Sequence, residues 1–296
     1  MLKRTLFFGS PGKLSVKNTL LHYYPRKGGE ERFFSLEDLG CIIIESLQMT
    51  LTAYCLNALA KCNIAVIFCD EHHLPSAQIL SFAGNTLTHK NSEAQFLSTT
   101  ALKGRLWQQT VKAKIRNQAS CLEKLGLPYQ KLQYLSERTK AADDTNNEAV
   151  AARYYFQQLG VDEIFLRERD GDPPNNALNY GYALLRAACA RALTGSGLNS
   201  CIGIHHCNQY NAFCLADDIM EPYRPFADAM IFSERDFFTA SELGKEHKAR
   251  LLQLLVMDVK IGRECRPLVN ALSFTTASLV RCFLREDKEI AYPEFA

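Results

Sequence analysis

The sequence predicts an α+β protein, with a small strand-rich N-terminal domain followed by a larger domain built from helices alone. Three observations carry this. Residues 1 to about 83 are rich in β-branched runs and period-two alternation broken by Gly and Pro. From about residue 95 the apolar positions recur at spacings of three and four. Between them, residues 84–94 are polar and without a period, which reads as a linker. At 296 residues, with 47% hydrophobic and 22% charged content, the chain has enough apolar material for two cores, and disorder is not the default.

In order, Arg4 to Phe8 is a short strand closed by the Gly9-Ser10-Pro11-Gly12 turn, and Lys13 to Lys17 alternates with period two. Leu20 to Tyr24 and Glu31 to Ser35 bracket Gly28-Gly29 as a hairpin. Gly40 to Glu45 is a buried strand. Leu51, Tyr54, Cys55, Ala58 and Leu59 mark a helix over 50–61, and Asn63 to Cys69 returns to strand. Beyond the linker, helices are expected over 95–118, 119–126, 129–140, 143–159, 176–194 and 210–233, and in pieces over 238–285. Gly160, Gly195 and Gly197 stand where helices should stop.

The net charge of +2 does not by itself announce a nucleic-acid partner. Its distribution says more: between residues 101 and 140 there are nine Lys or Arg (103, 105, 112, 114, 116, 124, 131, 138, 140) against Glu123 and Glu137. A solvated helix face explains such a run equally well. Eleven cysteines form an odd set without a Cys-x-x-Cys pair, and Cys41, Cys55, Cys69 and Cys189 lie in apolar runs as small hydrophobes. The opening residues break too early for a signal peptide, and no apolar run reaches about 18 residues. The expectation is a cytoplasmic protein with reduced thiols and no membrane segment.

Two carboxylates and an imidazole from three places in the chain are the candidate chemistry. Glu148 opens a helix whose Ala149, Ala151 and Ala152 allow close backbone packing, although an acid there also simply suits the helix dipole. Asp218 and Glu221 are three apart and would share a helix face, with Pro222 making an irregular point beside Glu221. Asp217 points elsewhere and reads as a solvated neighbour. His205 and His206 are adjacent, so one of them can face the acids. Cys201, Cys207 and Cys214 nearby raise zinc, but at spacings unlike those of structural sites. A di-iron bundle would need Glu-x-x-His units that the chain lacks. Carboxylates with one imidazole suit Mg²⁺ or Mn²⁺ over a phosphodiester.

These residues resemble the larger of the two universal CRISPR-adaptation proteins, the Cas spacer-acquisition integrase/endonuclease. The likeness lies in Glu148 through Phe156, in Gly203-Ile204-His205-His206, and in Asp217 to Pro225. It extends to Leu14-Ser15, Ile42 to Glu45, Ala65 to Asp70 with His72-His73-Leu74-Pro75-Ser76, and Trp107 to Gln118. The last two are similar to the type II subgroup. The doubled histidine and the neighbouring Cys207 and Cys214 depart from the pattern.

The resemblance implies that Glu148, His206 and Glu221 hold Mg²⁺ or Mn²⁺, with Asp218 as a further catalytic acid. It implies transesterification, in which a prespacer 3′-hydroxyl attacks the repeat backbone, and a neutral His206, so that activity falls in acid. Lys112, Lys114, Arg116, Arg153 and Arg224 are expected on DNA phosphates. Implied partners are a second copy through the β domain and a dimer of the small universal Cas protein flanked by two such homodimers. Double-stranded and partly single-stranded DNA are implied too, and type II accessory proteins stay open. Two alternatives remain: a stand-alone endonuclease of branched DNA sharing the metal site, and a DNA-binding scaffold whose acids are structural.

Overall fold

The computed structural model describes residues 4–26, 28–71, 75–79, 81, 85–160, 165, 167–168 and 171–296. The chain divides into two compact units, one ending at Thr86 and the other spanning Leu87–Ala296. Of the expected features, His72-His73-Leu74 and Gly84 lie outside the described residues.

The first unit holds two four-stranded sheets. One is ordered β1 (Arg4–Phe8), β5 (Leu39–Ile44), β7 (Ala65–Cys69), β8 (Pro75–Ile79), parallel except for the antiparallel β7–β8 edge. The other is ordered β4 (Arg32–Ser35), β3 (Leu20–Pro25), β2 (Gly12–Lys17), β6 (Thr50–Leu51). The hairpin around Gly28-Gly29 forms as β3 against β4, with Leu21 opposite Phe34. Helix α1 (Ala53–Lys61) starts at Thr52, whose hydroxyl accepts from the Cys55 amide at 3.1 Å. Its Cys55 and Leu59 enter a core with Leu14, Leu21, Leu39, Ile42 and Val66. β8 escaped the sequence reading because its side chains are half-exposed and Pro75 opens it, which fits an edge strand.

The second unit is mostly helical. Its axis is α3 (Thr100–Lys124), capped by Thr99 and buried along Leu106, Trp107, Val111, Ile115, Cys121 and Leu122. Around it stand α4 (Gln130–Arg138), α5 (Asn147–Leu159), α6 (Asn175–Gly195), α7 (Cys214–Met220), α8 (Arg224–Ser233), α9 (Lys245–Leu252) and α10 (Leu268–Phe283). Two expectations fail here. The unit is not all-α: β9 (Asp258–Ile261), β10 (Glu264–Pro267) and β11 (Glu294–Phe295) form a three-stranded antiparallel sheet. Its turn uses Gly262 at φ +62°, and exposed Asp258 and Lys260 alternate with buried Val259 and Ile261.

The expected linker is also wrong, because Thr88–Phe96 is helix α2. Its polarity is its function. Asn91 Nδ2 donates to the Ser196 carbonyl and Ser92 Oγ to that of Gly197, each at 2.9 Å. Gln95 donates to the carbonyls of Asn199 at 2.9 Å and Ile202 at 2.7 Å, and accepts from the Asn199 amide. A helix that satisfies a buried loop through amide side chains carries no hydrophobic stripe, so periodicity passes over it.

Candidate active site

Glu148 is set by a tight loop. Ala142, Asp143 and Asn146 all take left-handed backbone angles (φ +59°, +52° and +53°), uncommon for residues with a Cβ. The loop turns the Asp143 carboxylate back onto the first turn of α5, where it accepts from the Asn147 and Glu148 amides at 2.9 Å each. Asp143 is therefore the cap of α5.

Glu221 comes from a break between helices. α7 ends at Met220, a 3₁₀ turn covers Glu221–Tyr223, and α8 begins at Arg224. Asn117 on α3 holds the turn by donating to the Pro222 carbonyl at 2.7 Å, and the Tyr223 hydroxyl meets Thr275 Oγ1 at 2.6 Å. Asp218 and Glu221 consequently do not act as a pair: each is buried, against different partners.

The partner of Glu221 is unexpected. Lys114 Nζ stands 2.7 Å from Glu148 Oε1 and 2.6 Å from Glu221 Oε2. Lys114 is only 8% exposed, so it lies between the acids and not on a phosphate-facing surface as the sequence suggested. Burial pulls its ammonium pKa down, but Glu221 and Glu148 outweigh burial and leave it raised. Burial likewise pushes Glu221 up, and Arg224 and Lys114 overcome it to hold the carboxyl below its ordinary value. Arg224 reaches Glu221 Oε1 at 3.1 Å and lies 4.8 Å over the Tyr182 ring, so it too is turned inward.

His206 is fixed by Asp218, a fully buried carboxylate. Oδ2 accepts from the Ile204 and His205 amides at 2.7 and 3.0 Å, and Oδ1 accepts from the His206 amide at 3.1 Å and its Nδ1 at 2.6 Å. That bond leads the causes that raise the His206 pKa, ahead of the opposing burial. With Nδ1 donating to a carboxylate, Nε2 of the neutral ring carries the free lone pair. His205 instead stacks flat on Trp107, centroids 4.1 Å apart, so the doubled histidine divides into one ring held by the acid and one packed on indole. Gly203 is required by close approach, since a Cβ there would lie 2.2 Å from the His206 carbonyl and 2.8 Å from Asp218 Oδ2. Asp217 is not a solvated neighbour: it pairs with Arg186 at 2.7 Å and accepts from Asn211.

Of the remaining basic candidates, Arg116 and Arg153 are exposed and Lys112 is half-buried. Behind the site, Asp228 on α8 is buried between the hydroxyls of Tyr182 (2.6 Å) and Tyr155 (2.9 Å). Burial pushes its carboxyl from 3.8 up to about 6, against the two tyrosine bonds and the neighbouring Arg224 and Arg167. Between those pH values the folded state keeps a proton that the unfolded chain has released, so stability falls as pH rises through this window and stays lower above it. Asp228→Asn should remove that slope, gaining on the wild type from pH 4 to 6 by up to about 3 kcal/mol in denaturant titrations. Parallel stability curves would mean that the carboxyl titrates normally.

Among the described residues, no three His, Cys, Asp or Glu side chains are gathered closely enough to cage an ion. The chemistry of the donors nevertheless fits a hard divalent cation. Two carboxylates already converge on one cationic point, occupied by the Lys114 ammonium, and the buried Glu221 Oε2 has no aligned hydrogen-bond donor despite that ion pair.

Comparison with known proteins matches residues 6–247 to the model of the family described as CRISPR associated protein Cas1. The chain is 38% identical over 267 residues to the CRISPR-associated endonuclease Cas1 of Neisseria meningitidis serogroup C, covering 89% of this chain and 86% of the relative. Among solved structures, a casposase bound to integration product superposes with a TM-score of 0.78 at 19% identity, covering 98% of this chain and 92% of the other. A Cas6-RT-Cas1–Cas2 complex gives 0.74 at 21% identity, covering 99% of this chain and 36% of the longer one.

Proposed function

This chain belongs to the Cas1 family of CRISPR-associated proteins, and from that premise we propose that it is the integrase of CRISPR adaptation, joining 3′ ends of captured DNA to a repeat by transesterification. The observation that carries the reading is the convergence of Glu148 and Glu221, from separate helices, on one buried cationic point. A purely structural acid pair has no need of a histidine aimed by its own buried carboxylate, yet His206 is so aimed.

Glu148, His206 and Glu221 would hold Mg²⁺ or Mn²⁺, which when bound lowers the pKa of a ligated hydroxyl and offsets charge developing at phosphorus. The residues themselves do the following. Asp218 fixes the His206 ring so that Nε2 is the available nitrogen. Asp143 and the 3₁₀ turn hold the two glutamates from opposite sides. Arg224 and Lys114 keep the Glu221 carboxylate ionised and in place, and electrostatic preorganisation of this kind is worth most in a partly dry site. Exposed Arg116 and Arg153, with Lys112, suit phosphate contacts that position DNA without reading it.

The resemblance to a chain of a Cas1–Cas2 complex supports a small Cas partner, and the likeness to a casposase bound to integration product supports joining over cutting. A homodimer, type II membership and a cytoplasmic setting belong to the same reading. No helix among the described residues is long and apolar enough to cross a membrane.

The test incubates the protein with its small Cas partner, Mn²⁺, a labelled DNA with free 3′ ends and a supercoiled plasmid bearing leader and repeat. Covalent transfer of label by wild type and its loss in Glu148→Gln, with DNA binding intact, is the expected result. Cutting without joining would favour the nuclease alternative. Equal joining by both proteins would leave Glu148 structural and the site misassigned.

A further inference from the structure

Asp228 joins three of the helices that carry the site. It lies on α8, is 1% exposed, and accepts from the Tyr182 hydroxyl of α6 through Oδ1 at 2.6 Å and from the Tyr155 hydroxyl of α5 through Oδ2 at 2.9 Å. Tyr155 follows Glu148 by about two turns, on the same face of α5. The Tyr182 ring in turn carries two cations, the guanidinium groups of Arg224 at 4.8 Å and Arg167 at 5.2 Å. Arg224 then reaches Glu221 Oε1 at 3.1 Å.

The fold gains little from this acid as an ion, because burial opposes its ionisation, and apolar residues of similar size fill such space at less cost. What the carboxylate supplies is two acceptors fixed in space, one for each helix that brings a tyrosine. Resting on the integrase reading, we propose that Asp228 is a positioning residue: through Tyr182 it sets the ring against which Arg224 holds Glu221, and through Tyr155 it sets where α5 places Glu148. Buried as it is, Asp228 meets no substrate. Its effect falls on the geometry of the two glutamates, and so on the rate of joining and not on DNA affinity.

Asp228→Asn and Tyr182→Phe test this in the full-length protein, each measured by single-turnover joining at saturating DNA, by the Kd for the same DNA and by thermal unfolding. Asn keeps the volume and removes the charge that burial penalises, so the fold should hold, but its amide nitrogen leaves one tyrosine without an acceptor. Phe keeps the ring and removes its tether. Each should slow joining about 10-fold, the low end for loss of an outer-shell partner, with Kd unchanged. The double variant should be no slower than the slower single, since both break one bond. The nitrogen NMR signal of the Arg224 guanidinium should move in all three proteins. Joining at the wild-type rate, slowing matched by weaker DNA binding or a lower melting temperature, or multiplicative losses in the double variant overturns the proposal. If wild type itself joins nothing, the integrase reading fails and the Arg224 signal decides alone: a shift in both single variants supports the tether, and an unmoved signal refutes it.

Discussion

Glu221→Gln is expected to abolish strand joining and to lower thermal stability together. The carboxylate is 3% exposed and is held by Lys114 at 2.6 Å and by Arg224 at 3.1 Å. Glutamine fills the same volume but offers one acceptor where the buried Lys114 and the half-buried Arg224 each require one, and its amide hydrogens face the other cation. Removing one partner from a buried charge network costs about 3–5 kcal/mol, because the remaining charges lose their compensation. Loss of joining should exceed the about 10–100-fold that follows loss of an outer-shell partner, since Glu221 is assigned as an ion ligand. Thermal unfolding, filter binding of DNA and the joining assay separate the two effects. A protein that melts lower yet joins DNA at the wild-type rate would make Glu221 structural and remove it from the site.

The fold and the site were legible to different depths. Glu148, His206 and the Glu221-Pro222 break stand at sequence points marked by helix starts, adjacent histidines and a proline, and these are local signals. The groups that organise them act across the unit and leave weaker traces. Lys112, Lys114 and Arg116 look like one basic run, yet on a helix Lys112 and Arg116 lie about 40° apart while Lys114 falls near the opposite face. That face is the stripe Trp107, Val111, Lys114, Ile115, Gln118, Cys121, and the stripe is buried. A lysine at a core position must be paired, so the pattern held the clue to Lys114 even though its partners could not be named. Helix α2 failed for the opposite reason. Asn91 and Gln95 are buried by hydrogen bonds to a loop about a hundred residues later, which periodicity does not encode. The 258–267 hairpin was missed because four-residue strands inside a helical context give too few alternations to outweigh their surroundings.

Asp218→Ala should be as damaging as loss of a ligand, although Asp218 has no oxygen left to offer one. Its carboxylate is completely buried and accepts from three consecutive amides and from His206 Nδ1. Alanine strands those donors, the Ile204 amide in a buried position, at about 1–3 kcal/mol for each group left dry. The 203–206 loop is then free to move, and Gly203 can no longer be pressed against the His206 carbonyl. Two readouts distinguish this positioning role from direct participation. Amide exchange at 204–206 should accelerate in Asp218→Ala, and the neutral His206 ring should lose its fixed Nδ1–H tautomer by nitrogen NMR. Joining should fall sharply, and an Asp218→Ala, His206→Ala double variant should be no worse than His206→Ala alone, because Asp218 acts through that ring. Multiplicative losses in the double variant would show that Asp218 contributes independently of His206. The assignment would then have to change from a carboxylate that aims the histidine to one that takes part in the chemistry beside it.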